Sequence, residues 1–269
     1  MGIWFMFSKI SHRSLAQGVG LPAIAALLGG IVASCTPAAD TTPPQLLSEG
    51  QFIPSVASTP RLTPDQYRHV IADVFGPTID LGGRFEPDMR VDGLLAVGSS
   101  SISVTPAGME QYDAMADAIA AQVLLDEKNR RLMVSCTPSS AAKPDDACAA
   151  TFLSAAGRML YRRPLDKDEL GAYVEAANIA ASKVGDFYQG LSMSLSAMLS
   201  SPQFLFRVPQ VEADPNRPGQ YRLDAYSRAS RLSFFLWNSA PDRQLMDAAE
   251  NGDLYTQTGL NKQIERMMA

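Results

Sequence analysis

Histidine and cysteine are scarce in this chain of 269 residues: His12 and His69, then Cys35, Cys136 and Cys148. That scarcity excludes zinc fingers, zinc ribbons and poly-histidine cages, which need several clustered ligands. The phosphate-cradling glycine loop, the zincin helix and the serine elbow are missing as well. Positive charge is not in excess either. The 23 Lys and Arg against 28 Asp and Glu give a net charge of −5, so the chain exerts no overall pull on nucleic acid. Neither a βαβ rhythm nor a sustained two-residue alternation runs through it, which leaves a mainly α reading. What is present is 46% apolar residues, too many for a disordered chain and enough for one large core or two smaller ones.

The first 34 residues read as a lipoprotein signal peptide. Lys9 and Arg13 supply a basic start with no acidic residue, and Ser14 to Ser34 is uncharged. Val32-Ala33-Ser34-Cys35 has the form of a bacterial lipobox, in which Cys35 is lipidated and becomes the new amino terminus. The competing reading is an uncleaved membrane anchor, since about 20 uncharged residues can span a bilayer. Several glycines and Gln17 weaken that alternative. Met6 is an alternative start. Thr36 rather than Asp follows the cysteine, the pattern of lipoproteins sent to an outer membrane, facing the periplasm or the cell surface. Residues 35–60 are rich in Pro, Thr, Ser and Ala and read as a tether.

Downstream, helix start signals recur. Thr63-Pro64, Thr105-Pro106, Asp145 or Asp146, Asp166 with Glu169, Asp186, Asp224 and Asp242 each stand before an apolar stripe of helical spacing. Residues 78–103 read as a loop with a short strand around Ile102, and Asp214 to Gly219 as a turn cluster. Two or three small helical modules in series are expected: 61–130, 131–210 and 216–269. Leu260, Ile264 and Met267 form a last stripe without a visible partner face or C-cap. Residues 256–269 are therefore expected to be the loosest folded segment, and the third module to be truncated.

Candidate chemistry is sparse. Cys136 and Cys148, 12 residues apart in an exported chain, suggest a disulfide; redox switching or a thiol nucleophile is the alternative. Arg158, Arg162 and Arg163 cluster at a helix C-terminus. They serve either to complement the helix dipole and pair with acids, or as an anion clamp for carboxylate or phosphate. His69 precedes Asp73 by one helical turn, so an acid–base dyad is conceivable beside the simpler reading of a surface histidine. Phe234-Phe235-Leu236-Trp237 reads as core rather than as a sugar platform, and Met193, Met198, Met267 and Met268 as core filler.

Five ordered motifs carry a resemblance. They are Arg61-Leu62 through Tyr67 to Gly76; Val104-Thr-Pro106 with Gln111-Tyr112; Cys136-Thr-Pro138 and Cys148, then Tyr161-Arg162-Arg163-Pro164-Leu165; Leu199-Ser-Ser-Pro202-Gln-Phe204-Leu205-Phe206-Arg207; and Leu223-Asp224 through Ser230-Arg231-Leu232 to Trp237, then Pro241-Asp242. In this order, over residues 61–269, they resemble the planctomycete-type exported multidomain proteins of unknown function. The resemblance implies serial helical domains and a cytochrome c-like or other envelope protein as partner. It carries no settled activity or catalytic residue. His69 stands where the first motif commonly has Asn, so it inherits no role. With no Cys-x-x-Cys-His, no haem is implied, and no cofactor or metal is expected in this stretch. Two functions stay open. One is a lipid-anchored scaffold or binding module of a larger envelope assembly. The other is a redox-associated or hydrolytic enzyme whose active groups lie C-terminal to residue 269.

Overall fold

Each helix begins where a short polar side chain satisfies a free backbone N–H. Thr63 accepts from the Gln66 amide while the Gln66 side chain accepts from the Thr63 N–H, a capping box that opens α1 (Pro64–Phe75). Thr105 opens α2 (Pro106–Leu124), Asp126 α3 (Glu127–Met133) and Asp145 α4 (Asp146–Leu160). Asp166 and Glu169 form a second box at α5 (Lys167–Val184), which Gly185 ends in a left-handed conformation, φ 72°. Asp186 then starts α6 (Phe187–Ser200), and Ser201 the short α7 (Pro202–Leu205). A hairpin follows, β1 (Val211–Ala213) antiparallel to β2 (Tyr221–Leu223) with Val211 opposite Leu223. Asp224 caps α8 (Ala225–Leu236), Asp242 caps α9 (Arg243–Glu250) and Thr256 caps α10 (Gln257–Met268).

The computed structural model describes residues 59–86 and 104–269. Cys35, its signal segment, the tether up to residue 58 and the strand expected around Ile102 lie outside the described residues. Within them the chain is mainly α, with small helical modules in series. Four elements escape the sequence pattern. Helices α3 and α7 are too short to show a stripe, and three-residue strands are too short to show alternation.

One apolar cluster runs from Leu62, Tyr67 and Ile71 on α1 through Met115 and Ile119 on α2 and Leu153 on α4 to Leu191, Leu195 and Phe204. Helices α5 and α6 meet backbone to backbone at Gly190. A Cβ there would lie 2.4 Å from the Ala177 carbonyl oxygen and 2.5 Å from the Ala181 nitrogen. The segment entering α1 pairs with the chain after α7. Leu62 N–H donates to Leu205 O at 2.8 Å, and Arg207 N–H donates to Pro60 O at 2.8 Å. Cys136 and Cys148 are joined in a disulfide, tying the chain after α3 to the first turn of α4.

A second cluster gathers Ala229, Leu245, Ala248, Ala249 and Leu254 around Met267. The last helix therefore has the partner face that the sequence did not reveal. Met267 and Gln263 are buried, the Trp237 indole N–H donates to Met267 O at 2.8 Å, and Arg266 forks onto Asp242 at 2.7 and 3.0 Å. The aromatic run is also corrected. Phe234 is core, but Phe235 is 83% exposed, because neighbours on a helix point 100° apart. Met193 and Met268 likewise face outward, whereas Met198 and Met267 fill the core. No helix among the described residues is long and apolar enough to cross a membrane.

Candidate anion site between the second and third modules

The three arginines singled out from the sequence separate. Arg158 leaves α4 toward α9, where it donates to Asp247 at 2.9 Å and Glu250 at 2.8 Å. Arg163 forks onto both carboxylate oxygens of Glu169, each at 2.7 Å, and this pair holds the Glu169 carboxyl below its ordinary range. Arg162 is buried, with a left-handed backbone at φ 59°. Its guanidinium donates to four carbonyl oxygens: Leu160 at 2.9 Å, Phe204 at 3.3 Å, Gln203 at 2.8 Å and Phe206 at 2.8 Å. Burial, then the charges of Arg207 and Arg163, push its pKa down to about 9, which still leaves it a cation at neutral pH. No single clamp unites the three. Arg162 is a buried cross-brace, Arg158 and Arg163 are paired, and only Arg162 and Arg163 reach a common cavity.

That cavity, about 380 Å³, holds two further arginines that sequence reasoning missed, Arg207 and Arg231. Arg207 follows α7, and its guanidinium lies 5.0 Å from the centre of the Phe234 ring. Its Nε is buried without a hydrogen-bond partner. Burial, with a contribution from the neighbouring charge of Arg231, lowers its pKa. Arg231 is exposed on α8 and forms no ion pair among the described residues. Ser227, one helical turn earlier, stands three residues before Ser230 and four before Arg231, so it lies beside both on the cavity side of that helix. Ser227 Oγ accepts the Gln210 N–H at 2.8 Å, so its own hydroxyl proton is directed elsewhere. The one acid on the wall is Asp224, whose carboxylate is occupied by the Ser227 N–H at 2.7 Å. Val208, Pro209 and Leu223 complete the wall with apolar surface. The signal for this site was present in the sequence as two motifs, Phe206-Arg207 and Ser230-Arg231, but nothing local showed that they meet.

His69 is exposed, and its Nδ1 lies 3.2 Å from the Asn238 carbonyl oxygen. Asp73 instead accepts the Ser239 hydroxyl at 2.6 Å. The dyad does not form; both residues serve to dock α1 on the turn between α8 and α9. Among the described residues no group of three His, Cys, Asp or Glu side chains is arranged to hold a metal ion.

Comparison with protein families finds three consecutive matches. Residues 61–125 match PSD3, a protein of unknown function (DUF1587). Residues 148–208 match PSD5 (DUF1595), and residues 223–269 match PSD4 (DUF1592), both likewise of unknown function. No curated protein and no solved structure matches the chain. The arginine cavity thus draws its walls from the second and third matched segments.

Proposed function

From the premise that the chain belongs to the planctomycete-type multidomain families of unknown function, with DUF1587, DUF1595 and DUF1592 in series, we propose that it is an exported, lipid-anchored scaffold or binding module of a cell-envelope assembly. One observation carries this reading: the seams between the three matched segments are fastened by specific polar bonds. Gln66 on α1 donates to Asn238 Oδ1 at 2.9 Å and Ser239 to Asp73, joining the first segment to the third. Arg158 on α4 reaches the two acids on α9, joining the second to the third. Such crossings hold module surfaces in fixed relation, as a platform for partners requires. The disulfide supports residence in an oxidising compartment.

Anchoring goes through Cys35, whose acyl chains would each bury methylene groups worth about 0.8 kcal/mol apiece. Its neighbour Thr36 favours the outer membrane. Two measurements test the proposal. Intact mass spectrometry of the membrane-extracted protein should show a lipidated Cys35, and Cys35→Ala should leave the chain unlipidated; an unmodified Cys35 in the membrane fraction would sink the anchor. Native electrophoresis of mildly solubilised membranes should show the chain in a complex larger than itself. Migration as a lone monomer would reject the scaffold role.

A further inference from the structure

The excess charge of the arginine cavity decides what it can hold. Arg163 is neutralised by Glu169. Arg162, Arg207 and Arg231 remain, opposed on the wall by Asp224 alone. The cavity is therefore two positive charges in excess. Asp247 and Glu250 act on Tyr226 at the rim, but both are bound by Arg158. Arg162 commits its guanidinium to four carbonyl oxygens, but among the described residues Arg207 and Arg231 pair with no acid; the two repel one another, and Arg207 also loses hydration. Arg207 in particular keeps its Nε buried without an acceptor, and Arg231 depresses the affinity of Arg207 for its own proton. An anion entering here would relieve both costs.

We infer that this cavity binds the doubly charged head of a small phosphate monoester, with the Arg207 and Arg231 guanidiniums and the Ser227 hydroxyl as donors and the apolar wall taking the ester's body. The guanidinium fork suits the oxyanion geometry. The volume of about 380 Å³ lies at the small-ligand end of binding pockets, larger than a bare ion needs. Val208, Pro209 and Leu223 have no use for a naked ion, and they favour an ester over inorganic phosphate. This inference stands apart from the anchoring and scaffold reading, because it rests on the cavity alone.

Titration calorimetry of the full chain at pH 7.5, where a phosphate monoester is a dianion, tests it with three probes. Phenyl phosphate should bind saturably. Phenyl sulfate, of the same shape with a single charge, should bind about tenfold more weakly, the loss of one charged hydrogen-bonding interaction. Inorganic phosphate should also bind more weakly than phenyl phosphate. Arg231→Gln changes an exposed side chain without an ion pair, so folding is not at stake, and it should weaken phenyl phosphate about tenfold or more. Arg207→Lys, which keeps the charge and removes the fork, should weaken it too. The absence of saturable binding, or an Arg231→Gln variant that binds as the parent does, would overturn the site. Phenyl sulfate equal to phenyl phosphate would overturn the assignment of a dianion, and inorganic phosphate equal to it would overturn that of an ester.

Discussion

Arg162 reaches across 44 residues of sequence to donate to the carbonyl oxygen of Phe206 at 2.8 Å. The same guanidinium serves Leu160, Gln203 and Phe204, so one side chain closes the carbonyl ends of both α4 and α7. Buried carbonyls have no water to turn to, which is why a cation is tolerated there without an acid partner. Arg162→Ala would orphan several acceptors at about 1–3 kcal/mol each, and the expected cost is about 4 kcal/mol. Arg162→Lys should cost about half as much, since it keeps the charge but not the fork. Urea denaturation of the two variants checks the order; a loss below about 1 kcal/mol for the alanine variant would contradict it.

Gly190 lets α6 lie directly against the backbone of α5. The atoms a methyl would meet are backbone, Ala177 O and Ala181 N, which cannot move without shifting a helix. At Gly157 the nearest atoms are the ends of Leu165 and Met198, which can turn aside. Gly190→Ala should therefore destabilise by about 2–3 kcal/mol and Gly157→Ala by less, despite alanine's better helix propensity at both sites. Thermal unfolding of the pair gives the comparison; equal losses would refute the backbone-contact account.

Most of the helical frame was legible because its signals are local. Thr63, Thr105, Asp166, Asp186 and Asp224 each accept the N–H they were expected to accept, and the apolar stripes of α1, α2, α4 and α6 are buried. What escaped was long-range. Nothing near Met267 announces that Trp237, 30 residues earlier, will cap its carbonyl. Nothing near Arg162 shows that three of its four partners follow α6. The cluster of three arginines was visible, but charge proximity along a helix does not reveal which acids on other elements will claim each one. Arg207 and Arg231 gained their meaning only when the chain after α7 and one face of α8 met around a single cavity.

The disulfide closes a short loop. In the chain-entropy picture a loop of this size adds roughly 3 kcal/mol by restricting the unfolded chain. Protein isolated from its native compartment should take up no alkylating reagent at Cys136 or Cys148 until reductant is added. A Cys136→Ser, Cys148→Ser double variant should lose that amount of stability while keeping its helical content. Full labelling of both thiols without reductant would reject the bridge in the cell.

Acid should loosen the turn before α5. Glu169 accepts from Arg163 and from the Asp166 N–H at 3.0 Å, and these partners favour its ionised form. Its folded pKa therefore lies below the ordinary 4.5, and the folded state binds fewer protons than the unfolded state between the two values. The stabilisation is complete above that ordinary value and disappears as pH falls through the depressed one. Glu169→Gln should melt at lower temperature than the parent at pH 7, with the gap closing as pH falls through the depressed folded value. A gap that persists at low pH would show that packing rather than charge sets the effect.

The relation between Trp237 and Met267 bears on how firmly the last helix is held. A helix of 12 residues is marginal by itself in water. Here Met267 is buried among Ala229, Leu245 and Leu254, the indole N–H of Trp237 donates to the Met267 carbonyl, and Arg266 binds Asp242 at the start of α9. The Arg266 guanidinium also lies 5.4 Å from the Trp237 ring centre, so indole and ion pair form one latch. Trp237→Phe keeps an aromatic body and removes the N–H; its expected cost is about 1 kcal/mol. The effect should be local. Hydrogen exchange should accelerate at residues 263–268 while amides of α6 in the main core keep their protection. If residues 263–268 exchange as fast as free peptide in the parent chain itself, the latch does not hold. If they are protected in the parent and released in Trp237→Phe, the two residues are the fastening of the third module.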